Sequence, residues 1–380
     1  MRAPIYLDYN ATTPIAPEVL EAMLPALREV WGNPSSSHVY GRRAAETIAQ
    51  ARGQVASLLG CETDEVVFTS GGTESDNAAI VGVAEARAAH GRHVVTCAIE
   101  HPAVEQACAY LERRGWRVSR VEVDGAGRVD PASIERAWTP ETVLVTVMHA
   151  NNETGVIQPI EEISAIVRRR GALLHTDAAQ SVGKLPVRVD ELGVDLLTVA
   201  AHKLYGPKGV GVLYLRRGTP FASFLRGAGH EAGRRAGTEG TAQIAGLGAA
   251  CALAERDLTA RGAHMRAMRD RLERALREGL PDVVVHGGAA DRLPNTLSLA
   301  IPGTDANALL ARLPDVAAAS GAACHAGRTE PSRVLRAMGV PAELARGTLR
   351  LTTGRGTTRD EVDAAATSII RGATTLRPPS

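Results

Sequence analysis

A lysine at position 203 stands between two apolar runs, 195–200 and 210–215, and a glycine- and proline-containing turn follows it at once. The pattern reads as strand, tight connection, strand, which fixes the lysine on a rigid sheet. A lysine held that way loses solvation, its pKa drops, and the neutral amine can form a Schiff base with a carbonyl compound. Most lysines near turns are solvated, so this chemistry needs partners elsewhere in the chain.

Four polar clusters sit where apolar runs end. In Gly71-Gly72-Thr73-Glu74, glycines let backbone approach an anion, and the N–H groups of a following helix favour phosphate. No lysine of a nucleotide-binding loop is present there, and Thr73 as a plain helix cap is the alternative. His101, before Pro102, can stack on a planar group or shuttle protons, or be structural. Asn151-Asn152-Glu153 crowds polar groups at the end of a third run. Asp177 ends a fourth run, where a buried carboxylate needs a cationic partner. A protonated pyridine nitrogen is such a partner, and a helix-capping aspartate is the alternative.

One thiol stands apart. Cys324 lies among small residues and glycines beside His325, which reads as a mobile loop with a neighbour favouring the thiolate. Cys61, Cys97, Cys108 and Cys251 fall in apolar or helical patterns and read as buried structural thiols. An odd count of five without a CxxC pair argues against a disulfide frame or a zinc site, so no metal is expected.

The elements that must position these groups alternate. Candidate strands are 65–69, 93–97, 117–123, 143–148, 172–176, 195–200 and 210–215, with helical stretches at 74–89, 102–114 and 160–170 between them. This calls for an α/β fold with a mostly parallel seven-stranded sheet covered on both faces. Helical periodicity also marks 17–30 and 44–59. Residues 241–278 read as Ala-rich helix interrupted by glycines, bridging to a small α+β unit. The expected division is a large domain over 15–255, and a small domain from 1–14 and 256–380 that carries the cysteine loop. A net charge of +1 argues against a dedicated nucleic-acid or membrane surface. With neither a signal-peptide core nor a membrane-length apolar run, a cytoplasmic protein is expected.

Asp177 and Gln180, His202-Lys203, Gly206-Pro207-Lys208-Gly209, Gly71-Gly72-Thr73-Glu74-Ser75-Asp76-Asn77, Asn151-Asn152-Glu153-Thr154-Gly155 and the segments at 6–14 and 32–36 run in order over nearly the whole chain. Together they resemble the cysteine desulfurases, pyridoxal-phosphate enzymes of the class V aminotransferase group with the aspartate-aminotransferase fold, close to the selenocysteine lyases. The resemblance implies that Lys203 bonds covalently to pyridoxal 5'-phosphate and then moves the substrate Cα proton, and that His101 stacks on the pyridine ring. Asp177 would pair with the ring nitrogen. Gln180 and Asn152 would bond near the phenolic oxygen and the substrate, and Gly72, Thr73 and His202 would hold the phosphate. Thr238 would reach the phosphate of a neighbouring subunit in a homodimer.

Arg350 matches the arginine that clamps the substrate carboxylate, with Asn10 beside the substrate and Arg355 a weaker second candidate. Cys324 matches the nucleophile that takes sulfur from L-cysteine as a persulfide, leaving L-alanine, and the long segment from 324 to 350 resembles the branch whose extended loop carries sulfur to an acceptor protein. One departure stands out: Ala200 replaces a serine that often contacts the phosphate. Selenocysteine lyase is the alternative reading. An ordinary aminotransferase and an inactive scaffold fit less of the pattern.

Overall fold

The computed structural model describes residues 3–325 and 328–376, with backbone alone over 322–331. A two-residue strand, β1 (Ile5–Tyr6), precedes the central sheet. That sheet comprises β2 (Val66–Thr69), β3 (His93–Cys97), β4 (Arg117–Val121), β5 (Thr142–Thr146), β6 (Leu173–Asp177), β7 (Leu196–Ala200) and β8 (Gly211–Leu215), in the order β2-β8-β7-β6-β5-β3-β4. Only β8 runs against its neighbours. All seven strands lie on the runs anticipated, because β-branched stretches covered on both faces have few other ways to bury themselves. Strands β2, β3, β5, β7 and β8 are buried at every residue.

Because the other six strands share one direction, the carboxyl ends of β2, β3, β5, β6 and β7 open on a single edge of the sheet. Helices Gly72–Arg87, Pro102–Arg113 and Ile160–Arg170 connect consecutive strands. Helix Val39–Leu59 begins five residues before its apolar stripe. Helices Pro131–Ala137, Val189–Leu192 and Ala342–Arg346 had no signal in the sequence. Segments under two turns carry no readable period.

Thr241–Gly279 is one unbroken helix of 39 residues, roughly 58 Å at 1.5 Å per residue. Its glycines, expected to interrupt it, instead let neighbours close in. A Cβ on Gly248 would meet the Ala51 backbone at 2.6 Å, and one on Gly246 would meet Met23 Sδ at 2.7 Å. Its first half buries Ile244, Leu247 and Leu253 in the core around the large sheet. Its second half buries Met268, Leu272 and Leu276 in another core, with Leu7, Leu297, Leu299, Leu349, Leu351 and Ile369.

The second core sits on strands β9 (Val284–Val285) and β10 (Thr296–Ala300). Strand β11 (Val316–Ala317) pairs in parallel with β1. Strand β12 (Ala319–Ser320) leads into a hairpin of β13 (Ala322–His325) and β14 (Arg328–Pro331), and β15 (Thr348–Thr352) completes the antiparallel sheet β12-β15-β10-β9. Cys324 pairs with Thr329 in the hairpin backbone. Its side chain lies outside the described residues.

Candidate active site

A cavity of about 370 Å³ opens at the carboxyl edge of the large sheet. Asn10, Gly72, Thr73, His101, Asn152, Asp177, Gln180, His202, Lys203 and Arg350 all line it, joined by Asp76, Met148 and Ala200. Ten of the residues singled out from the sequence thus converge from segments more than three hundred positions apart.

Lys203 ends a single 3-10 turn, Ala201–Lys203, directly after β7. The lysine therefore sits in a helical turn beyond the strand end, a tighter geometry than strand–connection–strand. Its Nζ donates to the main-chain oxygens of Asn10 at 2.6 Å and Ala11 at 2.8 Å. Burial and then the Arg350 charge bring its pKa down to about 8, against the opposing pull of Asp177 and Asp8. An amine so tuned is about one-tenth neutral at pH 7, against under a thousandth for an ordinary lysine.

Asp177 is the last residue of β6 and is buried. Its Oδ1 accepts the Ala179 N–H at 2.9 Å, so it caps the local turn while facing the cavity. Burial pushes its pKa up, and that N–H, His101 and Lys203 pull the other way. His101 caps helix Pro102–Arg113 by accepting the Ala103 N–H on Nδ1 at 3.2 Å. Burial lowers its pKa.

Around the cavity floor the amide of Asn10 is fully engaged. Nδ2 donates to Thr296 Oγ1 (2.9 Å) and the Asn152 carbonyl (3.2 Å), while Oδ1 accepts from Lys184 Nζ and Asn295 Nδ2, each at 3.0 Å. Gln180 Nε2 donates to the Asn10 carbonyl at 2.9 Å, and Lys184 Nζ donates to Gln180 Oε1 at 2.9 Å. Lys184 is buried and its pKa is pushed far down, by burial first and then by Lys203 and Arg350. Neither Lys184 nor Asp76 had been assigned a role from sequence. Asp76 stood inside the quoted glycine motif, and Lys184 follows Gln180 by one helical turn's spacing.

Arg350, at the centre of β15, enters from the other sheet. It donates to Asp8 Oδ1 at 2.8 Å and to the Asn152 carbonyl at 3.3 Å, and its Nε is buried with no acceptor. Arg355 stays away: it pairs with Glu18 at 2.9 Å and lies over the Tyr205 ring at 5.3 Å.

On the opposite wall, helix Gly72–Arg87 starts from Gly71, whose φ is 147°. Thr73 therefore lies inside the helix, and its cap is Gly71. A Cβ on Gly211 would meet the Val199 carbonyl at 2.6 Å and Gly71 backbone at 2.8 Å, so glycine there lets the loop reach the strand end. His202 Nδ1 lies 3.1 Å from Thr12 Oγ1, and burial brings its pKa to about 4. Thr238 lines a separate cleft of about 260 Å³ with Glu231, Arg235 and Lys208. Of the other cysteines, Cys97, Cys108 and Cys251 are buried, whereas Cys61 is only partly buried and packs against the core from its edge, a correction to its reading as fully buried.

Residues 5–365 match the Aminotransferase class-V family. The cysteine desulfurase IscS of Anaeromyxobacter sp. (strain Fw109-5) is 45% identical over 383 aligned positions, covering 100% of this chain and 95% of the relative. A solved NifS-like protein superposes with a TM-score of 0.92 at 36% identity, covering 99% of this chain and 100% of its own. The structure titled SspA in complex with cysteine gives 0.82 at 34% identity, covering 93% and 99%. The chain belongs to the class-V aminotransferase family, in its cysteine desulfurase group.

Proposed function

We propose that this chain is a pyridoxal-phosphate-dependent cysteine desulfurase that converts L-cysteine to L-alanine and leaves the sulfur on Cys324 as a persulfide for an acceptor protein. The observation that carries the reading is Lys203, an amine with a pKa near 8, sharing one cavity with Asp177 and Arg350. Similarity to the IscS relative and to a protein solved with cysteine supports the substrate.

The cavity fits the family's cofactor. Its volume suits a phosphorylated pyridine, a buried carboxylate faces it from β6, and the orphaned Asp76 Oδ1 at its wall awaits a polar neighbour. When bound, pyridoxal 5'-phosphate supplies an electron sink for charge developing at the substrate Cα and Cβ.

The chain's own groups do the rest. Asp177 would hold the proton on the ring nitrogen, Gln180 and Asn152 would bond near the phenolic oxygen and the substrate, and His101 would cover the ring. Gly72, Thr73 and His202 would hold the phosphate. Arg350 exchanges Asp8 for the substrate carboxylate, using its free Nε–H as a second donor. Lys203, as the free amine, takes the Cα proton. The Cys324 thiolate bonds to the substrate sulfur as the Cβ–S bond breaks. Carbon gains a proton, so L-cysteine and one thiol become L-alanine and one persulfide.

Thr238, apart from the cavity in one copy, would complete the phosphate site of a second copy in a homodimer. The chain divides in this reading into a large unit over 15–255 and a small one from 1–14 and 256–380. No helix among the described residues is long and apolar enough to cross a membrane, and four free thiols suit a reducing cytoplasm.

The experiment is mass spectrometry of the Cys324 peptide after the cofactor-loaded protein meets L-cysteine. A gain of one sulfur atom, with alanine in equal amount, is expected. Alanine formation that persists in Cys324→Ala would sink the thiol's role.

A further inference from the structure

Asp76 projects from the second turn of helix Gly72–Arg87 into the cavity wall, 1% exposed, and its Oδ1 has no hydrogen-bond partner. One oxygen of Asp76, one oxygen of Asp177 and one ring nitrogen of His101 all lie within 4.8 Å of one another. Two buried carboxylates this close titrate as a pair, and the ionisation of one holds back that of the other.

The surroundings decide which of them keeps the proton. Asp177 has the Ala179 N–H at 2.9 Å, and His101 and Lys203 draw its pKa down. Asp76 faces Asp177 and His175 from β6, Thr198 from β7, and Glu100 at the end of the β3 segment. The nearest potential cation is His175, whose Nε2 is 3.7 Å away. That ring is held by Thr146 at 2.8 Å and Thr198 at 3.1 Å, and burial brings its pKa to about 3, so it is neutral. The other acid nearby, Glu100, supplies no positive charge to offset this. Burial, then Asp177, pushes the Asp76 carboxyl well above the ordinary range, against the opposing hydrogen bond with Thr198.

We propose that Asp76 is a positioning residue that stands in the cavity as a neutral carboxylic acid, holding the proton of the Asp76–Asp177 pair so that Asp177 is the pair's single anion. The pair then presents one negative charge, on the residue that would face the ring nitrogen. The proposal rests on the reading of this cavity as the cofactor's, but its own test needs no cofactor.

The test is infrared spectroscopy of the cofactor-free protein at neutral pH, with aspartate labelled by heavy carbon in the side-chain carboxyl. The label separates aspartic-acid carbonyl bands from that of Glu100. A labelled carboxylic-acid band is expected in the wild type, lost in Asp76→Asn and retained in Asp177→Asn. A wild type without that band, or a band lost only in Asp177→Asn, overturns the assignment. Should Asp76→Asn fail to fold, the wild type and Asp177→Asn still decide, since a band that survives loss of Asp177 keeps the proposal and one that vanishes ends it. Loading with pyridoxal 5'-phosphate, followed by visible absorption, tests the cofactor reading separately. Its failure leaves the infrared result standing.

Discussion

Arg350 and Asp8 form an ion pair at 2.8 Å beside the backbone bridge from Asp8 to Thr352, and the pair holds the guanidinium over the cavity with Nε still free. In the proposed reading Asp8 occupies the place that the substrate carboxylate would take. Asp8→Asn removes the competitor, and at about 0.5–1 kcal/mol for a partly exposed pair the KM for cysteine falls by roughly 2–5-fold. Arg350→Lys loses the planar fork, and charge-assisted bonds of about 1.5–3 kcal/mol translate to a rise in KM of roughly 10–150-fold. Steady-state kinetics of the two variants checks both signs. A KM unmoved in Arg350→Lys would remove Arg350 from substrate binding.

Lys203 provides a second measurement. In the cofactor-free protein its amine reacts only when deprotonated, and burial with the Arg350 charge brings the midpoint to about 8. Acetylation of the Lys203 peptide, followed by mass spectrometry across pH, is expected to reach half its maximal rate near that pH. The sign is fixed by linkage: the unfolded chain keeps this proton to higher pH than the native state does. The lysine's contribution to stability therefore rises as pH climbs from about 8 toward the ordinary lysine value. A midpoint at the ordinary value would mean that the site is wetter than its burial implies.

Much of this site was legible because its residues stand at the ends of apolar runs, where the carboxyl edge of a parallel sheet gathers them. Lys203, Asp177 and His101 each end or follow a strand, so period and placement found them together. Lys184 and Asp76 were not found. Each lies inside a segment whose pattern is explained by packing, and only three-dimensional contact shows an orphaned oxygen or a lysine among amides. Arg350 lies within a strand of the second sheet, and only the motif resemblance singled it out. The long helix Thr241–Gly279 shows the opposite failure, since its glycines read as breaks when they mark close contact with Met23 and Ala51.

Ala200 lines the cavity beside Gly72, with its Cβ 3.4 Å from where a Gly72 Cβ would stand. A serine hydroxyl there would add one donor where the proposed reading puts the phosphate. One net hydrogen bond of about 1 kcal/mol tightens the cofactor about 5-fold. Fluorescence titration of Ala200→Ser with pyridoxal 5'-phosphate checks it, and a weaker Kd would place the phosphate elsewhere.

Glu100 predicts a pH effect. Burial raises its carboxyl to about 8, although Oε1 accepts from Cys97 Sγ and from the Met148 N–H at 2.7 Å. The native state holds a proton that the unfolded chain releases above its ordinary value. Its contribution is therefore complete below about 4.5 and lost as pH rises through about 8. Glu100→Gln keeps the acceptor for both donors and cannot ionise. The melting temperature of the variant, taken relative to the wild type, should rise between acid and mildly alkaline pH. A difference flat in pH would show that Glu100 ionises normally.

Glu231 is the strongest structural prediction outside the cavity. It is buried and takes both Arg52 guanidinium nitrogens, at 2.7 and 2.9 Å, and the Phe68 N–H at 3.1 Å. It does so with a backbone φ of 51°, followed by Ala232 at 56°, left-handed conformations that a non-glycine residue adopts at a cost. That backbone persists because the ion pair to helix Val39–Leu59 and the bond to β2 hold it in place. Removing one partner strands the other charge, at about 3–5 kcal/mol. Arg52→Met is therefore expected to lower the denaturation midpoint sharply. The double variant Arg52→Met with Glu231→Gln recovers part of that loss, because no charge is then left buried alone. Equilibrium denaturation of the wild type, the two single variants and the double variant measures the coupling, and purely additive losses would mean that Arg52 and Glu231 act independently.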